Sequence, residues 1–463
     1  MWFRRDLRIE ANPAFDAALG VARQTSADVL PLFILDPTLI ATSGPNRLAF
    51  LYDALGSLRS SGLPLVVCAG SPSTVFERLS TTSDLRDVFC ADEFTPFGIW
   101  RDRGIEKVLS ERGAKLHRLG SPYAVNPGVV RKDDGTPFKV FTPFKRVWER
   151  SADVSASDNR WTDFASFCWA DGGPGIEPVP IPPPPAAASV LPKASEAAAH
   201  DRLAHFLEHH LCAYDTNRND PAVDATSRLS ADLKFGLLHP SQILPMLAGA
   251  GHGADVFRSE LCWREFYADV LYHRPDTVNA AFNPIMEQLV VDTGPIADER
   301  FDAWCRGETG FPFVDAGMRQ LLTEGWMHNR VRMVTASFLV KDLHLDWRRG
   351  AEWFMTHLVD GDIASNQHGW QWTAGTGTDA SPYYRVFNPV TQGKKFDPTG
   401  AYVRKYVPEI AELDDSVIHE PWEAKGGGLF GGASNYPAPI VDHAAERLEA
   451  LARHAKTKKT PTT

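Results

Sequence analysis

The chain has 463 residues, of which 43% are hydrophobic and 23% are charged, a balance that excludes a chain disordered throughout its length. Its 48 Lys and Arg residues against 58 Asp and Glu residues give a net charge of −10, which excludes a histone-like protein that coats nucleic acid through its overall charge. At this length two or three domains are expected.

The first part of the chain, residues 1–125, alternates short β-rich runs with amphipathic segments. The runs ADVLPLFILDP, LPLVVCAGS and LRDVFCADE are each followed by a segment of helical character: RLAFLYDALGSLRSSG, TVFERLST and RGIEKVLSERG. Strands that alternate with helices of this length predict a doubly wound, parallel α/β sheet. The opening residues 1–3 are interpreted as the end of a first strand whose beginning is missing.

A change of pattern divides the rest of the chain in two. Residues 126–196 are predicted to be an interdomain linker, because the Pro-rich run GGPGIEPVPIPPPPAAASV can form neither a helix interior nor a central strand. From residue 197 to residue 463, apolar residues recur at spacings of three and four. This periodicity predicts a second, all-helical domain.

Cysteine usage and hydropathy indicate the compartment. The six cysteines include no CxxC pair and no clustered spacing, which argues against a disulfide framework and a zinc site and favours the reducing cytoplasm. No apolar stretch approaches the roughly 18 residues that span a membrane. The start MWFRRDLRIEANP also lacks the apolar core of a signal peptide.

One candidate site lies in the helical segment FRSELCWREFYADV. The spacing of Glu260, Trp263, Arg264 and Tyr267 places a carboxylate, an indole and a guanidinium on one helix face. Polar groups on a buried face must be paired with one another or meet a ligand. The alternative is a half-exposed helix with a surface Glu260–Arg264 pair and Trp263 as ordinary core.

A second candidate lies in WMHNRVRMVTASF, where Asn329, Arg332 and Met333 share a helix face and Arg330 is displaced by about 100°. Arginines beside an amide suit a ligand with phosphates or planar heteroatoms. The alternative is an arginine-rich helix whose guanidinium groups are paired with acidic neighbours of the same chain.

A third candidate is the loop LVDGDIASNQHGWQW, in which Asp360, Asp362 and Asn366 precede Trp370 and Trp372. A calcium loop needs further oxygen ligands at regular positions, and these are absent. The acids suit hydrogen bonds from sugar hydroxyls, ring N–H groups or an arginine, unless they only cap a helix in a solvated loop. The run DATSRLS is a weaker candidate that can cap a helix and offer donors to phosphate.

Together these segments resemble the photolyase/cryptochrome flavoproteins over nearly the whole chain. The resemblance rests on WFRRDLRIEANPA, FKVFTPFKRVW, YDTNRNDPAVDATSRLSADLKFG, ELCWREFY, TGFPFVDAGMRQLLTEGWMHNRVRM and LVDGDIASNQHGWQWTAGTGTDASPYYRVFNPVTQGKKFDP. It implies an N-terminal α/β domain, a long linker and a C-terminal helical domain that holds FAD. Met333 and Asn366 make the chain most similar to class I cyclobutane pyrimidine dimer photolyases.

The resemblance implies light-driven repair of cyclobutane pyrimidine dimers in DNA, a carbon–carbon lyase reaction. In the family, an electron passes from photoexcited FADH⁻ to a dimer flipped out of the duplex and later returns. The resemblance also implies a monomeric protein that binds DNA and does not associate with a membrane. The alternatives are a cryptochrome-like blue-light photoreceptor without repair activity and a light-independent electron-transfer flavoprotein.

The resemblance also implies site residues. Glu260, as a neutral acid favoured by burial, is expected to donate to a base carbonyl, and Trp263 and Trp372 to form flat walls. The implied catalytic residues are Glu260, Asn366, Trp370 and Trp347. The implied FAD-binding residues are Tyr214, Thr226, Ser227, Arg228, Leu229, Ser230, Asn329, Arg332, Asp360, Asp362 and Asn366. The implied substrate-binding residues are Glu260, Trp263, Arg264, Asn329, Arg330, Met333 and Trp372.

Two further implied features concern light and electrons. Trp370 and Trp347 resemble the proximal and middle members of the family's photoreduction chain, whereas Gly294 stands where the distal tryptophan is usual. An altered exit, with Trp353 or a tyrosine as its last member, is therefore expected. The antenna is expected to be 8-hydroxy-5-deazaflavin, with folate or an empty site as alternatives, and its implied contacts are Arg47, Asp92, Glu93 and Lys234.

Because the protein is acidic overall, DNA must be bound by a local basic belt around the cavity mouth. Its predicted members are Arg264, Arg330, Arg385, Lys394, Lys395, Arg404 and Lys405.

Overall fold

The structure is a computed structural model. It describes residues 1–152, 164, 167–170, 172–173, 175–188, 190–378, 383–424 and 435–457. Parts of the predicted linker, including residues 153–163, therefore lie outside the described residues. The predicted fold class, an N-terminal α/β region followed by a helical region, is confirmed.

The N-terminal region contains two parallel sheets. The strands are β1 (Trp2–Phe3), β2 (Leu32–Leu35), β3 (Val66–Ala69), β4 (Asp87–Cys90) and β5 (Lys115–Arg118). The first sheet has the order β1–β2–β3 and pairs Trp2 with Leu32 and Leu32 with Val66, and the second sheet pairs β4 with β5. Both sheets are parallel because a helix connects each strand to the next one in its sheet.

Five helices accompany these strands. They are α1 (Pro13–Thr25), α2 (Pro37–Thr42), α3 (Pro45–Ser60), α4 (Pro72–Thr82) and α5 (Pro96–Ser110). Each begins at a proline, whose fixed φ and missing N–H suit the first helical position. Side chains of Asn12, Asp36 and Thr95 cap α1, α2 and α5. Local sequence therefore fixes where these helices start.

Fourteen helices form the rest of the described chain, joined by short 3₁₀ turns. They are α6 (Phe141–Ser151), α7 (Glu196–His209), α8 (Tyr214–Asn217), α9 (Ser230–Phe235), α10 (Pro240–Ile243), α11 (His252–His273), α12 (Pro295–Arg306), α13 (Pro312–Glu324), α14 (Asn329–Lys341), α15 (Trp347–His357), α16 (Ile363–Ala374), α17 (Pro389–Phe396), α18 (Ala401–Tyr406) and α19 (His443–Thr457). Helix α6 lies inside the predicted linker. None of the described helices combines the length and apolar character needed to cross a membrane.

The loop after β1 joins the two regions. The Leu7 backbone N–H donates to the Phe235 carbonyl at 3.1 Å, and Arg8 Nη1 donates to the Gly236 carbonyl at 3.1 Å. Gly236 has a φ of 70°, and a Cβ there would lie 2.0 Å from the Arg5 carbonyl oxygen. The close approach of the β1 loop to the end of α9 therefore requires glycine at this position.

Candidate active site

A cavity of about 540 Å³ opens where α9, α11, α14 and α16 meet. All the residues predicted to bind FAD lie on its wall: Tyr214, Thr226, Ser227, Arg228, Leu229, Ser230, Asn329, Arg332, Asp360, Asp362 and Asn366. The predicted substrate-binding residues line the same cavity: Glu260, Trp263, Arg264, Asn329, Arg330, Met333 and Trp372. The structure thus brings segments far apart in sequence to one site.

Helix α11 presents Glu260, Trp263, Arg264 and Tyr267 to this cavity, as the spacing predicts. Glu260 pairs with Arg218, whose Nη1 lies 2.6 Å from Glu260 Oε1. The alternative of a surface Glu260–Arg264 pair is wrong, because Arg264 instead donates to the carbonyl oxygens of Pro122 at 2.7 Å and Leu233 at 3.1 Å. Arg264 therefore also holds α11 to two neighbouring segments.

Glu260 is less buried than the sequence suggests. Its side chain is 29% exposed, and its Oε1 is paired with the Arg218 guanidinium. A carboxyl oxygen that accepts from Arg218 is not free to contact a base carbonyl. A role for Glu260 as a donor to the substrate therefore requires that the pair opens.

Helix α14 supplies two arginines with different partners. Arg332 Nη2 donates to Asp360 Oδ2 at 2.8 Å, and Arg332 Nε donates to the Met327 carbonyl at 2.7 Å. Arg330 Nη2 donates to Asn219 Oδ1 at 2.6 Å. Arg332 thus fits the alternative of a guanidinium paired with an acidic neighbour, while it still lines the cavity.

Helix α16 is capped by Asp362, which also connects the two regions. Asp362 accepts the N–H groups of Ala364 at 3.1 Å and Ser365 at 3.2 Å, and Arg5 Nη2 approaches its Oδ2 to 2.6 Å. Burial acts to raise the pKa of Asp362, but Arg5 and the more distant Lys234 outweigh it and hold that pKa far below its usual range. Asp362 is therefore ionised in the folded protein at neutral pH.

The segment before α9 carries Arg228 in the left-handed region, with a φ of 55°. Its guanidinium stacks over the Trp326 ring at 3.6 Å and pairs with Asp224 at 2.9 Å and Glu324 at 3.1 Å. Because these carboxylates already hold the guanidinium, the donors best placed for a phosphate are the hydroxyls and N–H groups of the same segment, including Ser227.

The polar groups left without partners indicate what the cavity can hold. Among the described residues, Asp360 Oδ1 and Trp370 Nε1 are buried without a hydrogen-bond partner. Asn366 donates its amide to Ala351 O at 3.0 Å and Gln367 Oε1 at 2.9 Å, which leaves its side-chain oxygen as an acceptor. The Asp360 and Asn366 oxygens are acceptors that suit ring N–H groups and hydroxyls, whereas Trp370 Nε1 is a donor. They fit the flavin and ribityl parts of FAD.

Comparisons with known proteins cover almost the whole chain. The family model of DNA photolyase matches residues 1–161, and that of the FAD binding domain of DNA photolyase matches residues 257–456. The chain belongs to the DNA photolyase family. A relative from Halobacterium salinarum named deoxyribodipyrimidine photo-lyase is 36% identical over 480 residues, covering 99% of this chain and 98% of the relative.

Solved structures agree with this membership. A bacterial class III photolyase from Agrobacterium tumefaciens has a TM-score of 0.87 and 34% identity, with 99% of this chain and 97% of that one covered. An archaeal photolyase from Sulfolobus tokodaii with two FAD molecules has a TM-score of 0.81 and 28% identity, with 98% and 99% covered. The predicted family is confirmed, while the class I subgroup stays a prediction.

The tryptophans of this photolyase have contacts that the sequence did not indicate. The Trp370 ring centroid lies 6.1 Å from Trp304 and 4.9 Å from Phe354. Trp347 is buried and has no aromatic ring partner among the described residues. The Trp353 and His357 ring centroids are 4.0 Å apart, with the planes tilted by 34°. The rings that contact Trp370 are therefore not those of the predicted middle member, Trp347.

The predicted antenna residues divide into two groups. Lys234 lines the central cavity, and its charge interacts with those of Arg47 and Glu93. Burial first, and then Arg5, lower the pKa of Lys234 to about 7. Asp92 has no such interaction with Lys234, and its Oδ1 accepts the Glu93 N–H at 3.0 Å. Lys234 forms a charged cluster with Arg47 and Glu93, and Asp92 is linked to this cluster through Glu93.

The predicted basic belt is less available than the sequence suggests. Arg404 donates to the Ala411 carbonyl at 2.8 Å and pairs with Asp415 at 2.8 Å, Lys405 pairs with Glu324 at 3.3 Å, and Lys394 pairs with Glu420. Two other members lie beside aromatic rings. The Arg385 guanidinium lies 5.4 Å over the Trp372 ring, and Lys395 is exposed beside Phe396.

Three residues that hold the site were not predicted from the sequence. Arg218 and Asn219 hold Glu260 and Arg330 from the other side of the cavity, and Arg5 reaches Asp362 from the N-terminal region. The position of Arg218, four residues after Tyr214 in YDTNRND, was an available signal, since that spacing places both on one helical face. Arg5 offered none, because its partner is 357 residues away in the sequence.

Proposed function

We propose that this photolyase uses light to split cyclobutane pyrimidine dimers in DNA, as the name of its curated relatives suggests. The observation that carries the proposal is the single cavity of about 540 Å³ that collects both residue sets, one for FAD and one for the dimer. A photoreceptor or an electron-transfer flavoprotein needs the first set only.

The substrate is a dimer that leaves the duplex. A dimer inside the stack cannot reach an enclosed cavity, and its poor stacking lowers the cost of flipping it out. Trp263 and Trp372 line the cavity and offer flat apolar surfaces to the two pyrimidine rings. We assign substrate binding to these two residues together with Glu260, Arg264, Asn329, Arg330 and Met333.

FAD supplies light-driven one-electron chemistry when it is bound and reduced. Asp360, oriented by Arg332, and Asn366 would accept hydrogen bonds from it. The other members of the proposed FAD set are Tyr214, Thr226, Ser227, Arg228, Leu229, Ser230, Asn329 and Asp362. Arg332 and Arg5 hold Asp360 and Asp362, which lie two residues apart in the loop before α16, so these two acceptors are held before any ligand enters.

Glu260 and Arg218 form the part of the site that must rearrange. The two side chains are 29% and 24% exposed, so water reaches the ion pair and lowers the cost of opening it. A DNA phosphate offers Arg218 an equally strong charge-assisted partner. Release of Arg218 then frees the Glu260 carboxyl to contact a base carbonyl of the dimer, where charge develops during repair.

Electron supply to the site is assigned to Trp370, with Trp347 as the predicted middle member and Trp353 as the exit in place of the missing distal tryptophan. The contacts support a parallel route: Trp370 and Trp304 are 6.1 Å apart, Trp304 and Phe301 are 5.9 Å apart, and Phe301 and Trp353 are 6.4 Å apart. This row of rings runs from the cavity wall to Trp353, which is only partly buried.

The antenna is proposed to be 8-hydroxy-5-deazaflavin, bound near Arg47, Asp92, Glu93 and Lys234. The cluster formed by three of these residues supports a ligand with anionic and hydrogen-bonding groups. Folate or an empty site remain the alternatives, and the second FAD of the Sulfolobus tokodaii photolyase adds a further one. Absorbance of the extracted chromophores distinguishes deazaflavin, folate and an empty site, and the ratio of extracted FAD to protein identifies a second FAD.

DNA is proposed to be held by the basic belt, in which Arg264, Arg330 and Lys395 form no ion pair with a carboxylate among the described residues. The protein is proposed to act as a monomer in the cytoplasm. All six cysteines are free, two of them exposed, which suits a reducing compartment.

Blue-light repair tests the proposed function. Purified protein with reduced FAD is illuminated with an oligonucleotide that contains one cyclobutane dimer, and dimer loss is followed by chromatography. The same mixture in the dark and an oligonucleotide with a (6-4) product are the controls. Loss of the cyclobutane dimer only, and only in light, is expected. No loss in a sample with bound, reduced FAD would refute the proposal.

A further inference from the structure

Trp263 is covered on one face by a ring from the predicted linker. The ring centroids of Phe141 and Trp263 are 3.7 Å apart, and the two planes differ by 7°. This is the closest pair of rings among the described residues. The other aromatic neighbours of Trp263 are Phe266 at 5.7 Å, at a steep angle of 76°, and Tyr267 at 5.4 Å, at 46°. Phe141 is thus the ring that lies flat against the indole.

Phe141 is held in place by its helix. Residues Phe141, Phe144, Lys145 and Trp148 share one face of α6, at the spacing i, i+3, i+4 and i+7. Lys145 Nζ donates to Ser259 Oγ at 2.6 Å, and Trp148 Nε1 donates to Glu265 Oε2 at 2.6 Å. Phe144 packs on Phe266 at 5.1 Å. Helix α6 is therefore fixed along α11 on both sides of Trp263.

Glu265 makes this attachment a firm one. Its carboxylate is buried and also accepts the N–H groups of Ala124 at 2.6 Å and Val125 at 3.0 Å. Removal of the carboxylate would leave several buried donors unpaired, which is a costly change. The chain before and after Phe141 is thus anchored to α11, which keeps the Phe141 backbone beside Trp263.

We propose that Phe141 is a positioning residue that fixes the indole plane of Trp263, so that its other face receives the pyrimidine dimer. This inference rests on the proposed function. A wall that stacks on two rings must be held in one orientation, because an indole free to rotate loses that freedom when the dimer binds. Phe141 removes this freedom in advance and excludes water from the back of the indole.

The effect belongs to dimer recognition and not to general DNA affinity, which depends on phosphate contacts. Loss of one aromatic stacking partner changes binding by about 2- to 10-fold. Phe141→Leu is therefore expected to weaken binding of a dimer-containing duplex by about 2- to 10-fold, and to leave binding of the undamaged duplex unchanged.

The experiment compares Phe141→Leu, Phe141→Tyr and Phe138→Leu, each loaded with FAD, by titration of matched duplexes with and without one cyclobutane dimer. Phe138 is the matched control, since it lies on the same segment and packs on Phe144 at 6.2 Å without stacking on Trp263. FAD content and thermal unfolding check that each variant folds. We expect Phe141→Leu alone to lose discrimination and Phe141→Tyr to retain it.

Three results would overturn the inference. They are full discrimination by Phe141→Leu, an equal loss in Phe138→Leu, and a loss in Phe141→Tyr equal to that in Phe141→Leu. Failure of the proposed function gives a different result. Wild-type protein would then bind the two duplexes equally, and the inference about Phe141 would be refuted together with the proposed function.

Discussion

The ion pair between Arg5 and Asp362 connects the N-terminal region to the FAD cavity, and its loss should be costly. Arg5 Nη2 lies 2.6 Å from Asp362 Oδ2 and Arg5 Nη1 lies 3.4 Å from Glu93, with side chains that are 8–16% exposed. Arg5→Met leaves two buried carboxylates without this cation. Loss of one partner of a buried pair costs about 3–5 kcal/mol, and the remaining cap bonds of Asp362 reduce the expected destabilisation to about 2–4 kcal/mol.

The pH dependence follows from the depressed pKa of Asp362. A carboxyl with a lowered folded-state pKa adds stability above its unfolded pKa of about 3.9, and this contribution is lost as the pH falls further. The difference in unfolding free energy between wild type and Arg5→Met should therefore be full at pH 7 and shrink below about pH 4.

Urea unfolding followed by circular dichroism measures the difference, and FAD affinity should fall with it because Asp362 lines the cavity. The matched control is Arg86→Met, which removes an ion pair of the same 2.6 Å length whose side chains are 76% and 80% exposed. This control should unfold like the wild type. Equal urea midpoints for Arg5→Met and Arg86→Met would refute the reasoning.

Four further predictions concern the site. Glu260→Leu should lower repair per absorbed photon by about 10- to 100-fold, whereas Glu260→Gln, which can still donate a hydrogen bond, should keep most of the wild-type repair. Equal repair yields for the two variants under illumination would contradict this prediction. In Gly350→Ala the new Cβ would lie 2.1 Å from Trp370 Cη2, so urea unfolding should show a loss of about 1–3 kcal/mol, and an unchanged midpoint contradicts the packing. Trp353→Phe should slow FAD photoreduction measured by absorbance, with exposed Trp100→Phe as the control; an unchanged rate means that Trp353 is not the exit. Binding of undamaged duplex, measured by anisotropy, should weaken about 100-fold between 50 and 200 mM salt if about four phosphates are contacted, and a flat dependence contradicts the belt.

Much of the fold could be predicted because its signals are local. Alternating apolar runs and the proline starts of helices such as α1 and α5 indicate strands and helices directly. Helix α6 was missed inside the linker, because its neighbours are Pro-rich and polar. Its pattern of Phe141, Phe144 and Trp148 becomes meaningful only when α11 lies beside it.

The site residues were predictable where one helix carries them, as with Glu260 and Trp263 on α11. Their partners were not, because pairing depends on tertiary approach. Glu260 had a candidate partner four residues away in Arg264, yet it pairs with Arg218, 42 residues earlier. Helical spacing makes a contact possible, but Arg264 gains more by donating to two carbonyl oxygens between neighbouring segments.

The charge of the cavity explains how an acidic protein can take two anionic ligands. Its wall carries five arginines, Arg218, Arg228, Arg264, Arg330 and Arg332, against the three carboxylates Glu260, Asp360 and Asp362, and Lys234, with its pKa of about 7, adds a partial positive charge. His328 adds no charge, because burial lowers its pKa to about 3. A positive surplus inside a protein of net charge −10 focuses attraction on one opening and repels polyanions elsewhere. The phosphates of the proposed ligands, FAD and a flipped nucleotide, are therefore expected at the cavity that Trp263 and Trp372 also line.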